Sequence, residues 1–591
     1  MTHSGMSHPV MRWSVPILSG LFFLTACTEP ASTAPASEAA PSARVAPSAA
    51  DAWFARLTLE QKVAQLMVIG FDGTTLDAGL REMLEKYQVG GVIYFARNVD
   101  SPAQVARLSN ELQAIAQKSG APGLIVAIDQ EGGRVARLTV ARGFTEFPGA
   151  MALGATDRDA ARAAENVRQA GRAMAAEMRA VGINTDFAPD LDVNNNPANP
   201  VIGIRSFSSD PARVARLGIA FVEGLQGAGV LAFGKHFPGH GDTGTDSHVD
   251  LPIVNHPRAR LDTVEFVPFK AAIVANIAGI MSAHVSFPTI DPTAGLPGTL
   301  STKVLSGLLR DELHFDGLVV TDSLEMGALG RSGFPAPRAA ARALQAGADL
   351  LLFNSGYQLH QSAIAQIVAE VRTGAIPAAR LDEAVRRVLR AKERFGLLQP
   401  MPIDPAQAVE ICSSPDHRAL AAKLAAASIT LLRDDTAVLP LPKSVTPVIV
   451  GGASSAKLAE LVGGVGVRIA ENPTERDLAS ALAGVRAHPR APVIVVLAGA
   501  SNAARQFELV QKVGAIGVSV VLIALREPYE LLPLTQTGGA QAMLAAYGAN
   551  PPALQAIADV VRGVAKPAGH LPVELPGMAP LGAGLGDFAH R

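Results

Sequence analysis

A chain of 591 residues is too long for one hydrophobic core, so one large domain and one smaller domain are expected. Apolar residues make up 48% and charged residues 18%, which excludes a chain that is disordered throughout. Lys plus Arg number 51 against 53 Asp plus Glu, a net charge of -2 that points to no nucleic-acid partner, and the two cysteines, Cys27 and Cys412, are too few for a zinc site built from cysteine pairs.

The first element is an apolar run over residues 17–26, ILSGLFFLTA, preceded by Arg12. It is shorter than the roughly 20 apolar residues of a membrane-spanning helix and fits the apolar region of a signal peptide. Leu24-Thr25-Ala26-Cys27 resembles a bacterial lipobox, in which Cys27 would become the lipidated first residue of the mature protein. An Ala-, Pro- and Ser-rich stretch follows to residue 50; such a composition buries too little apolar surface to offset its chain entropy and reads as a flexible tether. Residues 1–27 are thus expected to be an export signal and residues 28–50 a linker. The place of action would be outside the cytoplasm, anchored by lipid to a bacterial membrane.

From residue 51 to 398, short apolar runs alternate with helical stretches. Candidate strands lie at 66–71, 91–95, 124–128, 183–187, 231–236, 279–285, 318–321 and 349–353. Continuous apolar strands imply burial on both faces, as a parallel sheet requires. The alternation points to an α/β fold with a (β/α)8 TIM-type barrel, with a doubly wound open sheet as the rival. The stretch 397–405 carries three prolines and reads as a linker. Beyond it, residues 406–591 show strand candidates at 429–432, 448–450, 493–497, 518–524 and 542–546 with helical stretches between, the pattern of a smaller α/β sandwich domain.

In either barrel or open sheet, function sits at the C-terminal ends of the strands. Those ends carry Asp129-Gln130-Glu131, Asp186 with Pro189-Asp190, Lys235-His236, His284 and Thr321-Asp322-Ser323. A carboxylate fixed at a strand end, such as Asp322, suits nucleophilic attack on a sugar. To remain ionised it needs donors or cations, for which Lys235, Arg137 and Arg205 are candidates. The loop after the fifth strand offers Asp246-Ser247-His248, where the aspartate would orient a histidine able to give and take a proton. Glycines 239, 241 and 244 would let that loop turn. His236, His240 and His248 also suggest a metal site, but Pro238 and Gly239 interrupt the helical spacing it would need, so no metal or other cofactor is expected.

Four motifs in order, DQEGGRVAR, VIGIRSF, KHFPGHGDTGTDSH and VVTDSLEM, closely resemble glycoside hydrolase family 3, and within it the β-N-acetylglucosaminidase branch. The resemblance is strong over about residues 57–398 and weaker in the second domain, where GHLPVELP at 569–576 is similar to the family's ending. It implies Asp322 as nucleophile, His248 as acid/base paired with Asp246, and Asp129, Arg137, Arg205, Lys235 and His236 as holders of the terminal sugar. Arg134 is read as structural, supporting its loop. Branches that cleave glucosides or xylosides take their acid from a glutamate elsewhere and lack the Asp-x-His loop. Glu508, Glu527 and Glu530 would offer such an acid, but they read as solvated surface.

The implied activity is retaining release of terminal N-acetylglucosamine from cell-wall muropeptides or related glycans, by way of a covalent glycosyl-enzyme. A phosphorylase, a β-glucosidase or β-xylosidase, and a non-catalytic wall-binding lipoprotein are the alternatives.

Overall fold

The computed structural model describes residues 48–354, 356–499, 504–534 and 539–588. The signal run, Cys27 and nearly all of the expected tether lie outside them. The tether is shorter than its composition suggests: the helix Ala49–Phe54 begins before residue 51, because the Ser48 hydroxyl accepts from the Asp51 N–H and caps it.

All eight expected barrel strands are present: β1 (Met67–Gly70), β2 (Gly91–Tyr94), β3 (Ile125–Ile128), β4 (Thr185–Asp186), β5 (Leu231–Phe237), β6 (Gly279–Ser282), β7 (Leu318–Thr321) and β8 (Leu351–Phe353). They are parallel and lie in the order 7-6-5-4-3-2-1-8. The two ends of that order meet. Leu350, just before β8, donates to Val319, and the Thr321 N–H donates to Leu350. That closure rules out the open doubly wound sheet, whose strand order would reverse at a switch point. Every residue of these strands is buried, which is why their sequences are continuous apolar runs rather than alternating ones.

The proline-rich stretch at 397–405 is no free hinge. Leu397 and Leu398 are buried, Leu398 O accepts from the Gly123 N–H, and Ile403 exchanges hydrogen bonds with the Asn110 side chain. Ala408 and Leu424, further on, still belong to the barrel's hydrophobic core.

The second domain holds a six-stranded sheet built from β9 (Thr430–Asp434), β10 (Val448–Gly451), β11 (Val465–Arg468), β12 (Val493–Leu497), β13 (Val520–Ala524) and β14 (Ala542–Ala545). The order is 11-10-12-13-14-9, parallel except for the β14–β9 pair. Successive residues pack on opposite faces: Ile449, Ile494 and Ile523 in one core, Val448, Val493 and Leu522 in the other. Strand β11 is absent from the expected set because it is a half-exposed edge strand, VGVR, with little apolar signal.

The two domains share an apolar seam. Met151, Ala152 and Ile204 of the barrel pack with Tyr529, Tyr547, Leu571 and Val573 of the second domain.

Candidate active site

Seven of the eight residues expected at the site line one cavity of about 150 Å³ at the C-terminal end of the barrel: Asp129, Arg137, Arg205, Lys235, His236, His248 and Asp322. The eighth, Asp246, stands one hydrogen bond behind His248.

The wall under the cavity is ionic. Lys235 at the end of β5 is buried, with its Nζ 3.0 Å from Asp129 Oδ1 and 2.6 Å from Glu131 Oε1. Arg205, on the turn Gly203–Arg205, grips Glu131 with two bonds of 2.9 and 2.8 Å. Arg137 reaches Asp129 Oδ2 at 3.3 Å. Burial opposes the charge on Glu131, but Arg205 and Lys235 outweigh it and hold its carboxyl far below the usual range. Glu131, quoted in a motif but not singled out from sequence, is thus the hub of the clamp.

Asp192 is a second hub. Its Oδ2 accepts from His236 Nδ1 at 2.7 Å, and its Oδ1 accepts from the His240 N–H at 2.6 Å. That partner fixes the His236 ring, leaving Nε2 to accept from Arg205 Nη2 at 3.3 Å. Burial works against ionisation of Asp192, yet the His236 ring and the contacts from His240 hold it below the usual carboxylate value. For its neighbour Asp190, burial together with the charge of Asp192 outweighs Arg205 and the Asp192 N–H, and its pKa is pushed well up.

Asp190, Asp192 and His236 have ligand atoms within 4.8 Å of one another, close enough for a metal ion. The cationic place beside them is taken by Arg205, 3.7 Å from Asp190 Oδ2, and His236 already spends both ring nitrogens. The trio is therefore a poor cation site. The histidine set His236, His240 and His248 fares no better: His240 turns its ring nitrogens to Thr243 Oγ1 (2.7 Å) and Ser247 Oγ (3.0 Å).

The segment 239–248 is a folded loop held at several points. Gly241 passes so close to the Val193 carbonyl that a Cβ there would lie 1.9 Å from the oxygen, so only glycine fits. Asn199 donates to the carbonyls of His240 (2.9 Å) and Gly241 (2.8 Å). Ser247 is buried and its carbonyl accepts from the Ala328 N–H at 3.2 Å, seating the loop beside the segment that follows Asp322. His248 itself is exposed, its side chain 63% accessible. Its Nδ1 donates to Asp246 Oδ1 at 2.8 Å, and among the described residues its Nε2 has no hydrogen-bond partner. Burial opposes the charge on Asp246, but the N–H and ring of His248 outweigh it and keep the carboxyl below its usual value.

Asp322 follows β7, and its Oδ1 accepts from the Ser323 N–H at 2.7 Å. Burial alone would raise its pKa; His284, His236 and the Ser323 N–H prevail and lower it. Lys235, Arg137 and Arg205, expected to help keep it ionised, form no ion pair with it among the described residues. Those cations are committed to Asp129 and Glu131, whereas buried His284 is oriented by Thr299 Oγ1 and by Ser323 O, next to Asp322.

The second domain touches this rim. The Tyr529 hydroxyl exchanges hydrogen bonds with Asn194 at 3.3 Å. Glu527 lies against Gly203, where a Cβ would sit 2.4 Å from its Oε1 and φ is +46°. Ser208 and Ser209 donate to the Pro572 carbonyl. The β4 loop, which carries both Arg205 and Asn199, is therefore gripped at both ends from the other domain. Glu527 and Glu530 are accordingly not solvated surface. Glu530 is fully buried, with burial raising its pKa to about 8, and burial raises Glu527 as well. Glu508 is a partly exposed partner of Lys512 at 2.6 Å. Arg134, read as supporting its loop, is exposed, and its charge acts across the seam on Glu527, whose pKa it lowers against the effect of burial.

Comparisons with known proteins agree with this architecture. Residues 58–391 match the glycosyl hydrolase family 3 N-terminal domain and residues 429–580 its C-terminal domain. A protein named beta-hexosaminidase A from Pseudoalteromonas piscicida is 34% identical over 562 residues, 85% of this chain and 91% of that one. A beta-hexosaminidase from Alkalilimnicola ehrlichii is 40% identical over 287 residues, 48% of this chain and 79% of that one. The solved structure of a family 3 beta-N-acetylglucosaminidase from a Paenibacillus species superposes with a TM-score of 0.80 at 38% identity, covering 88% of this chain and 99% of that one. With a closed barrel, a second sheet domain clasping its rim and both domain profiles matched in order, the chain belongs to glycoside hydrolase family 3.

Proposed function

We propose that this protein is a retaining exo-β-N-acetylglucosaminidase. The observation that carries this reading is the Asp246–His248 pair at the mouth of the cavity that also holds Asp322. The substrate class is supported by the hexosaminidase names of its relatives and by the size of the cavity, about 150 Å³, which suits one terminal sugar better than a chain passing through.

Asp322, kept ionised, attacks the anomeric carbon and forms a glycosyl ester while His248 gives its Nε2 proton to the departing oxygen. His248 then takes a proton from water, which opens the ester with net retention. Asp246 fixes the ring and stabilises the imidazolium. Asp129, Arg137, Lys235, His236 and Arg205 hold the sugar hydroxyls. The substrates are terminal N-acetylglucosamine residues of cell-wall muropeptides or related glycans. The sequence at Cys27 supports a lipid-anchored, extracytoplasmic enzyme.

The test is turnover of a chromogenic N-acetylglucosamine β-glycoside, with the anomer of the product followed by NMR, with and without phosphate. β-N-acetylglucosamine as first product supports the reading. Sugar-1-phosphate, the α-anomer, or wild-type turnover by Asp322→Asn refutes it.

A further inference from the structure

The loop that carries His248 leaves the barrel after β5 and returns at the helix Arg258–Thr263. Its outgoing limb is pinned where the His240 N–H meets Asp192. Its returning limb is pinned to Ser286: the Val254 N–H donates to Ser286 O and the Ser286 N–H donates to Pro252 O, each at 2.9 Å. One hydrogen bond joins the two limbs to each other, from His256 Nε2 to Asp242 Oδ2 at 2.6 Å, and among the described residues no other does. An ionised carboxylate only accepts, so Nε2 carries the proton of this bond. The two residues stand 14 apart in the chain, with His248 between them.

The clasp continues below the loop. Arg260 places Nη2 3.8 Å from Asp242 Oδ2 and 3.4 Å from Glu265 Oε1. Glu265 is buried and packs against Gly239, where a Cβ would come within 2.9 Å of the glutamate's own Cβ. Asn195 of the β4 loop donates to Glu265 Oε1 at 3.4 Å. The foot of the loop is thus tied to the helix that follows it and to the loop that carries Arg205. Higher up there is room: a Cβ at Gly244 would meet nothing within 4 Å, and the His248 side chain is largely exposed. Packing on that side chain is slight, so its place depends on how the limbs below it are held. Joining the ends of a segment restricts the positions its middle can visit. The pair itself, at 22% and 36% side-chain exposure, is too exposed to add much to global stability.

We propose that Asp242 and His256 are positioning residues for the acid/base, a clasp at the foot of the loop that sets where His248 Nε2 stands over the bond to be broken. The assignment rests on the reading of His248 as the group that protonates the departing oxygen. Neither Asp242 nor His256 lines the sugar cavity. The clasp therefore acts on proton transfer alone: opening it displaces the acid and leaves Asp322 and the ionic wall in place.

The experiment measures kcat/KM, which reports the glycosylation step, on two aryl N-acetylglucosamine β-glycosides in the full-length enzyme. One releases phenol, which needs the proton, and the other releases dinitrophenol, which departs without it. Asp242→Asn and His256→Phe are each expected to lower kcat/KM on the phenyl substrate by about ten- to hundredfold, the scale of a displaced catalytic group, and to leave it unchanged on the dinitrophenyl substrate. The double variant should lose no more than either single one, because both open the same clasp. His256→Gln keeps an N–H donor and should recover most of the loss. Thermal midpoints should stay at the wild-type value. Equal losses on both substrates, additive losses in the double variant, or no loss at all overturn the assignment. If His248→Ala steepens the dependence on leaving group while the clasp variants do not, only the clasp fails. If His248→Ala leaves that dependence unchanged, the reading of His248 fails with it.

Discussion

The side-chain amide of Asn199 donates to the backbone carbonyl of His240 across the rim, 2.9 Å away. This bond joins the loop that carries Arg205 to the loop that carries His248, so the proposed sugar clamp and proton carrier are positioned together. Asn199→Ala should leave the fold intact and lower kcat by up to about a hundredfold, the scale of a catalytic group displaced by an ångström. Pre-steady-state kinetics would check it: substrate binding should be far less affected than the chemical step.

The Asp246–His248 pair predicts a dependence on leaving group. Removing the proposed acid/base side chain by His248→Ala should cost about 10²–10⁴-fold on a substrate with a poor leaving group. An activated aryl glycoside needs less protonation, so its glycosylation step should suffer much less. Asp246→Asn should follow the same trend with a smaller loss. A series of aryl glycosides of graded phenol pKa would measure both slopes, and equal slopes for wild type and His248→Ala would contradict the role.

His240 predicts a pH effect on stability. Burial pushes its pKa down to about 4, against 6.5 in the unfolded chain. Between those values the unfolded state binds the extra proton, so stability is full above pH 6.5 and falls as the pH drops towards 4. The integrated loss is on the order of 3 kcal/mol. Urea unfolding from pH 7 to 4 should show this slope in the wild type, and His240→Gln should flatten it.

Lys235 is predicted to matter to folding as well as to substrate. Its ammonium is buried between Asp129 and Glu131. Lys235→Met strands part of that negative charge and should cost about 3–5 kcal/mol. Lys235→Met with Glu131→Gln should recover part of the loss. A double-mutant cycle on denaturation midpoints would read the coupling, and additive effects would show the pair is not acting as one unit.

The sequence made the strand ends legible because buried parallel strands leave apolar runs, and a polar residue directly after such a run must stand at the rim. Asp129, Lys235 and Asp322 are found that way. Glu131, Asp192 and Asn199 were not singled out, because their roles come from partners far along the chain. Glu131 meets Arg205 74 residues away, and Asn199 meets His240 41 residues away. The burial of Glu530 is hidden from the sequence for a related reason. Its local surroundings, REPYE, look solvated, and its burial depends on the packing of the whole second domain. Strand β11, at an edge and half exposed, carries too weak an apolar pattern to register.

Gly203, pressed by Glu527 from the other domain, sets a rule for recombination. The natural place to join halves of two relatives would be the proline-rich stretch at 397–405, where the two sheets are separate in sequence. A hybrid cut there would inherit its residue 203 from one parent and its residue 527 from the other. Any side chain brought in at 203 would need the left-handed backbone (φ +46°) and would force the facing glutamate carboxyl, 2.4 Å from its Cβ, to move. The interchangeable cassette is therefore the second domain together with residues 194–209, a discontinuous piece of chain that must be transplanted as one.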